Sequence, residues 1–250
     1  MTGFIGDWLA IQRRYIPRRG NGNPWVEGLR KQGYHIEPNA FSTVQVAAMR
    51  AAVPNLETLR DSPDETGTRL LHDARNLPEF GTFFEDIRIA AAVREIIGAE
   101  ATMLRSTVQL RYQLGRTGSF DQFFHFDSWR HRIKCFLYLS DVGPQNAPLI
   151  YAPTTHRRPF RLARDLEIRR HTATQDNSYL ADLESQFVGA LFPHQAQRMF
   201  HRLAIRPVEL TGSAGTLILF DARGFHRSKP LEAGCRTILS SYWIKQGEHI

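Results

Sequence analysis

Leu104-Arg-Ser-Thr-Val-Gln-Leu-Arg-Tyr-Gln-Leu114 alternates in character from its first residue to its last. Leu104, Ser106, Val108, Leu110, Tyr112 and Leu114 fall on one side. Arg105, Thr107, Gln109, Arg111 and Gln113 fall on the other. Successive side chains of an extended chain point to opposite faces, so this is a long strand with one mainly apolar and one polar face. Gly115-Arg-Thr-Gly118 ends it. Six further strands are expected downstream, at 121–128, 133–140, 147–152, 215–221, 225–228 and 236–243. Upstream the period is helical. The pattern predicts helices over 25–33, from the N-cap Ser42 to about Val53, and over 86–98, where Ile87, Ala90, Ala91, Val93, Ile96 and Ile97 recur at helical spacing. A short extended piece at 34–36 and a polar, loop-like stretch at 54–68 lie among them.

Residues 157–210 have a different texture, with helices expected at 179–190 and 193–203 and little alternation. They read as an insertion between strands. Helices first and then one strand set predict a mainly β fold with flanking helices, a double-stranded β-helix (jelly roll, cupin-like). The turn-rich Arg18-Arg-Gly-Asn-Gly-Asn-Pro24 closes an appended arm, 1–24. One domain, 25–250, follows and carries the helical insertion at about 157–210.

The chain has 250 residues, of which 42% are hydrophobic, enough for one sizeable core. No apolar run approaches the roughly 20 residues needed to span a bilayer. Two cysteines, Cys135 and Cys235, make no disulfide framework. With no basic-then-apolar N-terminal segment, a cytoplasmic protein is expected. The net charge of +7 is dispersed and has no aromatic-interleaved basic stretch. A solvated basic surface explains it more simply than a nucleic-acid face, and nucleic acid is an unlikely partner.

The chemistry-bearing residues are His125-Phe126-Asp127, then His226, Ser228 and Arg236. On a strand, His125 and Asp127 share a face, with Phe124 and Phe126 on the other. Two imidazoles and one carboxylate are the facial triad that holds non-haem Fe(II) and leaves positions open for a co-substrate and O2. Alone, a His-x-Asp tripeptide reads more readily as a surface pair or a structural hydrogen bond. The later residues give it company. Ser228 shares the face of His226. If 225–228 and 236–243 form a hairpin around 231–233, Arg236 lies beside Ser228. An arginine in an apolar strand needs a partner, because burying a charge is costly. The distal carboxylate of 2-oxoglutarate supplies one, and a surface acid such as Glu232 is the alternative.

Taken in order, these elements resemble the phytanoyl-CoA dioxygenase-like family of Fe(II)/2-oxoglutarate oxygenases. The resemblance runs from about Gly33 to Trp243. It is carried by Gly33-Tyr34, His125-Phe-Asp127-Ser, Leu139-Ser-Asp141, Asn146-Ala-Pro-Leu149, Pro153-Thr-Thr-His156, Gly215-Thr-Leu-Ile-Leu-Phe-Asp221, His226-Arg-Ser228 and Arg236. Two positions depart from it: the family usually has glycine where Ala147 and Thr154 stand.

The resemblance implies Fe(II) on His125, Asp127 and His226. It implies 2-oxoglutarate on Arg236, Ser228, Gln109 and Phe136, with Phe136 also readable as plain core. Arg111, Gln113, Tyr138 and His131 are candidates to reach the substrate or to orient a ligand. Related halogenases have Ala or Gly in place of the carboxylate, so Asp127 favours hydroxylation. The activity implied is hydroxylation of a small molecule, anionic or carrier-tethered, with O2 consumed and succinate and CO2 released. The competing classes are a jelly roll that binds metal without turnover, and an oxygenase directed at nucleic acid.

Overall fold

The computed structural model describes residues 22–53, 68–112, 122–128, 131–157 and 190–248. The arm up to residue 21, the expected helix at 179–189, Gln113 and His171 lie outside the described residues.

Two antiparallel sheets face each other. The larger contains β1 (Tyr34–Glu37), β2 (Thr68–His72), β3 (Ala101–Arg111), β5 (Ile133–Tyr138), β9 (Leu217–Asp221) and β11 (Arg236–Lys245), in the order β1-β9-β5-β11-β3-β2. The smaller contains β4 (Phe124–His125), β6 (Leu149–Tyr151), β7 (Ala190–Leu191), β8 (Val208–Leu210) and β10 (His226–Ser228), in the order β7-β4-β10-β6-β8. This is the expected jelly roll.

Alternation along the strands sorts the apolar residues into three layers. Cys135, Leu137, Leu219 and Leu239 face outward from the large sheet. There they pack under α1 (Pro24–Lys31), α2 (Thr43–Ala52) and α3 (Ile87–Ile97) with Leu29, Met49, Ile89 and Val93. Burying each such side chain contributes roughly 1.5–3 kcal/mol. Phe136, Tyr138, Ile218, Phe220, Ile238 and Tyr242 fill the space between the sheets with Leu149, Tyr151 and Leu210. Phe126, Leu191, Phe200 and Phe225 pack outside the small sheet, under α4 (Pro193–Arg202).

The helices start where side chains satisfy their free N–H groups. Asn23 accepts from Trp25 N ahead of Pro24, Ser42 and Gln45 cap each other, and Asp86 accepts from Arg88 N at 2.8 Å.

Several expectations need correction. The strand expected at 104–114 runs Ala101–Arg111, and its alternation breaks at Leu104. Arg105 pairs with Tyr242 and Met103 with Trp243, so Leu104 has no partner on β11. This bulge turns Leu104 into the inter-sheet layer, although Val108 and Leu110 pack under the helices. The expected hairpin between 225–228 and 236–243 does not form. β10 pairs with β4 and β6, and β11 with β3 and β5. The insertion carries the expected helix at 193–203 as α4, and it also contributes β7 and β8, which both join the small sheet. These strands, like β2, are too short or too polar to show a period.

Gly33 explains one motif of the resemblance. Its φ of +93° suits glycine, and a Cβ there would collide with the Tyr151 hydroxyl. The two departures from the family are equally telling. Ala147 has φ 55° and Thr154 φ 67°, so both hold a left-handed conformation that glycine adopts without strain. Ala147→Gly and Thr154→Gly are each expected to stabilise the protein by about 1 kcal/mol. Thermal melts check this. A lowered midpoint in both variants would show that the positive φ carries no strain.

Candidate active site

The site is built on one ladder contact. β10 pairs with β4 so that His226 stands directly opposite His125. Their ring centroids are 4.5 Å apart, and Phe220 of the facing sheet packs on His226 at 5.1 Å. Each imidazole is oriented through Nδ1. His125 Nδ1 donates to Phe123 O at 2.8 Å and His226 Nδ1 to Gly224 O at 3.0 Å. That leaves both Nε2 lone pairs directed at Asp127, whose Oδ1 lies 3.7 Å from His125 Nε2 and 3.4 Å from His226 Nε2.

Asp127 reaches this place differently from the sequence expectation. β4 ends at His125, and Asp127 follows on a bend. Its N–H donates to Ala222 O at 2.9 Å, which brings the carboxylate back to the histidines. Phe124 and Phe126 point the other way, into the layer under α4, as expected.

One ligand atom from each of His125, Asp127 and His226 lies within 4.8 Å of the others. The buried Nε2 of His226 makes no hydrogen bond among the described residues. Burial, with the charge of His226, pushes the His125 pKa down to about 3, so this imidazole is neutral, the form that binds metal. Burial raises the Asp127 pKa, but the Lys134 ammonium beside it and the two histidines outweigh that. They hold the group well below the usual carboxylate range. Two oriented imidazoles and one carboxylate, brought together in a buried place, fit a divalent metal ion.

Beyond the triad lies a cationic end. Arg236 opposes Arg111 in the β11–β3 ladder, and Thr68 opposes Arg111 from β2. Both arginines are 4% exposed. Arg111 Nε donates to Thr68 Oγ1 at 2.7 Å and Nη1 to Ser228 Oγ at 2.9 Å. Arg236 Nη1 donates to the carbonyl of Ala147. Ser228 therefore reaches this corner from the opposite sheet, through Arg111, and not along a hairpin. Gln109 is in register with Ile238, two residues from Arg236 on the same face, and Phe136 packs on Phe220 at 5.2 Å.

Two substrate candidates have partners of their own. Tyr138 is fully buried, and its hydroxyl donates to Leu210 O at 2.5 Å. It ties the two sheets together. His131 lies against Asp221, with Nδ1 3.9 Å from Oδ2. His194 and His201 are exposed on α4, as expected. Sequence reasoning passed over Lys134, whose Nζ sits 2.7 Å from Asp127 Oδ2, and Tyr242, whose phenol hydrogen-bonds Asp127. The available signal was a lone lysine inside the apolar run Ile133-Lys-Cys-Phe-Leu-Tyr138.

A jelly roll that sets a His-x-Asp…His group in line with buried arginines defines an Fe(II)/2-oxoglutarate-dependent oxygenase. The family model described as phytanoyl-CoA dioxygenase matches residues 29–236, and the chain belongs to that family. It is an enzyme of this oxygenase class, with Fe(II) as cofactor and 2-oxoglutarate and O2 as co-substrates.

Among its relatives, ectoine dioxygenase of Stutzerimonas stutzeri (strain A1501) is 27% identical over 228 residues, spanning 81% of this chain and 70% of the relative. That of Sphingopyxis alaskensis is 26% identical over 218 residues, spanning 79% and 67%. The solved structure of EctD from S. alaskensis with bound Fe superposes with a TM-score of 0.65 at 21% identity, over 91% of this chain and 79% of that one. HygX from Streptomyces hygroscopicus, with nickel, 2-oxoglutarate and hygromycin B bound, gives 0.62 at 15% identity, over 89% and 87%. These two structures speak to the fold.

Asp221, just before the β10 turn, binds Arg223 through its side chain and Tyr151 through its backbone carbonyl, with His156 close by. Burial pushes the His156 pKa down to about 4. A folded pKa below the unfolded value means that the unfolded chain binds the extra proton. Stability is therefore complete above about pH 6.5 and falls as the pH drops towards 4. Urea midpoints measured across that window should decline more steeply for wild type than for His156→Gln, by up to about 1.4 kcal/mol per pH unit. Parallel slopes would place the titration elsewhere.

Proposed function

We propose that this enzyme hydroxylates a C–H bond of a small molecule, coupled to the conversion of 2-oxoglutarate and O2 into succinate and CO2. The observation that carries this reading is that three metal-facing atoms and a pair of buried guanidiniums stand between the same two sheets. Either feature alone has other uses. Together they match the two ends of a chelating dicarboxylate.

In this reading His125, Asp127 and His226 hold Fe(II), which when bound supplies the O2 chemistry that the side chains lack. Arg236 holds the distal carboxylate of 2-oxoglutarate. Arg111 and Ser228, joined to each other, complete that cationic end. Arg111 thus serves the co-substrate and not the substrate. Phe136 packs along the chain of 2-oxoglutarate, and Gln109 offers a polar group on the same face. Asp127 fills the position that a halide would need, so hydroxylation is favoured over halogenation. The names of the relatives make ectoine the first small molecule to try. Cys135 and Cys235 are free thiols, which fits a reduced, cytoplasmic setting. No helix among the described residues is long and apolar enough to cross a membrane.

The test is succinate formation from 2-oxoglutarate with Fe(II) and a small-molecule panel that begins with ectoine. Substrate-dependent succinate and a product heavier by one oxygen atom are expected. No 2-oxoglutarate consumption with any metal or compound would leave a ligand-binding jelly roll. In the active enzyme, Arg236→Lys should raise the KM for 2-oxoglutarate by at least about tenfold with kcat little changed, because a two-pronged contact common to ground and transition states is lost. An unchanged KM would remove Arg236 from the co-substrate site.

A further inference from the structure

We infer that Lys134 is a positioning residue for the metal centre: it holds one oxygen of Asp127 and leaves the other as the single coordinating atom. The inference rests on the metal-site reading above and adds a residue to it.

The two oxygens of Asp127 have different surroundings. Oδ1 faces the Nε2 atoms of both histidines, at 3.4 and 3.7 Å. Oδ2 faces away from them and meets Lys134 Nζ at 2.7 Å. The phenol of Tyr242 also hydrogen-bonds this carboxylate. Lys134 is itself held. It lies on β5 between Tyr242 of β11 and Phe220 of β9 in the sheet register, and its Nζ is 5.0 Å from the Tyr242 ring centroid.

Its strand face otherwise carries Phe136 and Tyr138, both buried in the inter-sheet layer. An ammonium on such a face is costly unless paired, and Asp127 is the acid it pairs with. The arrangement also answers a weakness of the ligand. Asp127 stands on a bend past the end of β4, so the ladder that aligns His125 and His226 does not align it. Its backbone N–H is tied to Ala222 O, and Lys134 and Tyr242 bond the carboxylate itself. A carboxylate pinned at one oxygen takes one coordination position, and more positions stay open for co-substrate and O2 than if both oxygens bound.

The experiment is Co(II) titration of the purified protein without 2-oxoglutarate, read by visible d–d absorption and by the dissociation constant. Lys134→Met should bind Co(II) at least about tenfold more weakly. Its absorption bands should shift, because Asp127 can then turn or offer both oxygens. Lys134→Arg, which can still bond Oδ2, should restore most of the affinity and the native bands. Wild-type affinity and bands in Lys134→Met would overturn the inference. Circular dichroism verifies folding, and Lys134→Gln is read in the same way should the methionine variant not fold. His226→Ala separates the two readings. Loss of Co(II) binding there upholds the metal site whatever Lys134 does. Retained binding there would remove the site and the inference with it.

Discussion

Two imidazoles meet across one ladder position, and most of the molecule serves to make that possible. His125 and His226 cannot both be charged at a centroid separation of 4.5 Å in a buried place. Each must also present the same nitrogen inward. Burial meets the first demand at His125, and the backbone meets the second. The carbonyls of Phe123 and Gly224 take the two Nδ1–H groups, which fixes the tautomer and the ring direction. The carbonyls are in turn placed by neighbouring bonds. Thr155 Oγ1 accepts from Phe225 N and donates to Ala152 O, and Gly33 O accepts from Asp221 N. The turn before His226 is therefore anchored to the helical layer on one side and to β6 on the other.

Charge is distributed around this pair of imidazoles with the same economy. The carboxylate of Asp127 is balanced by Lys134 at the metal end. The distal end of the cavity has Arg111 and Arg236, aligned by the β3–β11 ladder. Between the two ends the lining is aromatic, with Phe136 on Phe220 and Phe220 on His226. An apolar middle with a cation at each end discriminates by the length and charge of what it holds, since a buried guanidinium is satisfied only by an anion that reaches it.

Much of this was legible in the chain. Period-two alternation pointed to the sandwich, and His125, Asp127 and His226, legible together in the chain, come within reach of one another in the fold. What was missed has physical causes. Strands of two or three residues, such as β4, β7 and β8, are too short to show a period. The position of Asp127 depends on a bend and a tertiary bond to Ala222 O, which no local pattern encodes. Ser228 was assigned a hairpin partner, whereas sheet membership decided that it meets Arg111 from across the cavity. Lys134 was legible in principle. The argument that a charge in an apolar strand needs a partner was made for Arg236 and holds equally for Ile133-Lys-Cys-Phe.

The bulge at Leu104 divides β3 into two reading frames. From Arg105 to Arg111 the frame is set by pairing with Tyr242 to Arg236, and it turns Gln109 and Arg111 towards the cavity. Before the bulge the frame is shifted by one, and Met103 packs under the helices. A change of length in the chain before Arg105 can be absorbed at the bulge, where one residue is already unpaired. The same change between Arg105 and Arg111 has no such outlet. It would exchange the two faces of the strand, sending the polar residues under the helices and Val108 and Leu110 into the cavity. The bulge therefore insulates the spacing of Gln109 and Arg111 from drift in the helical half of the protein. It marks where the fold tolerates variation and where it does not.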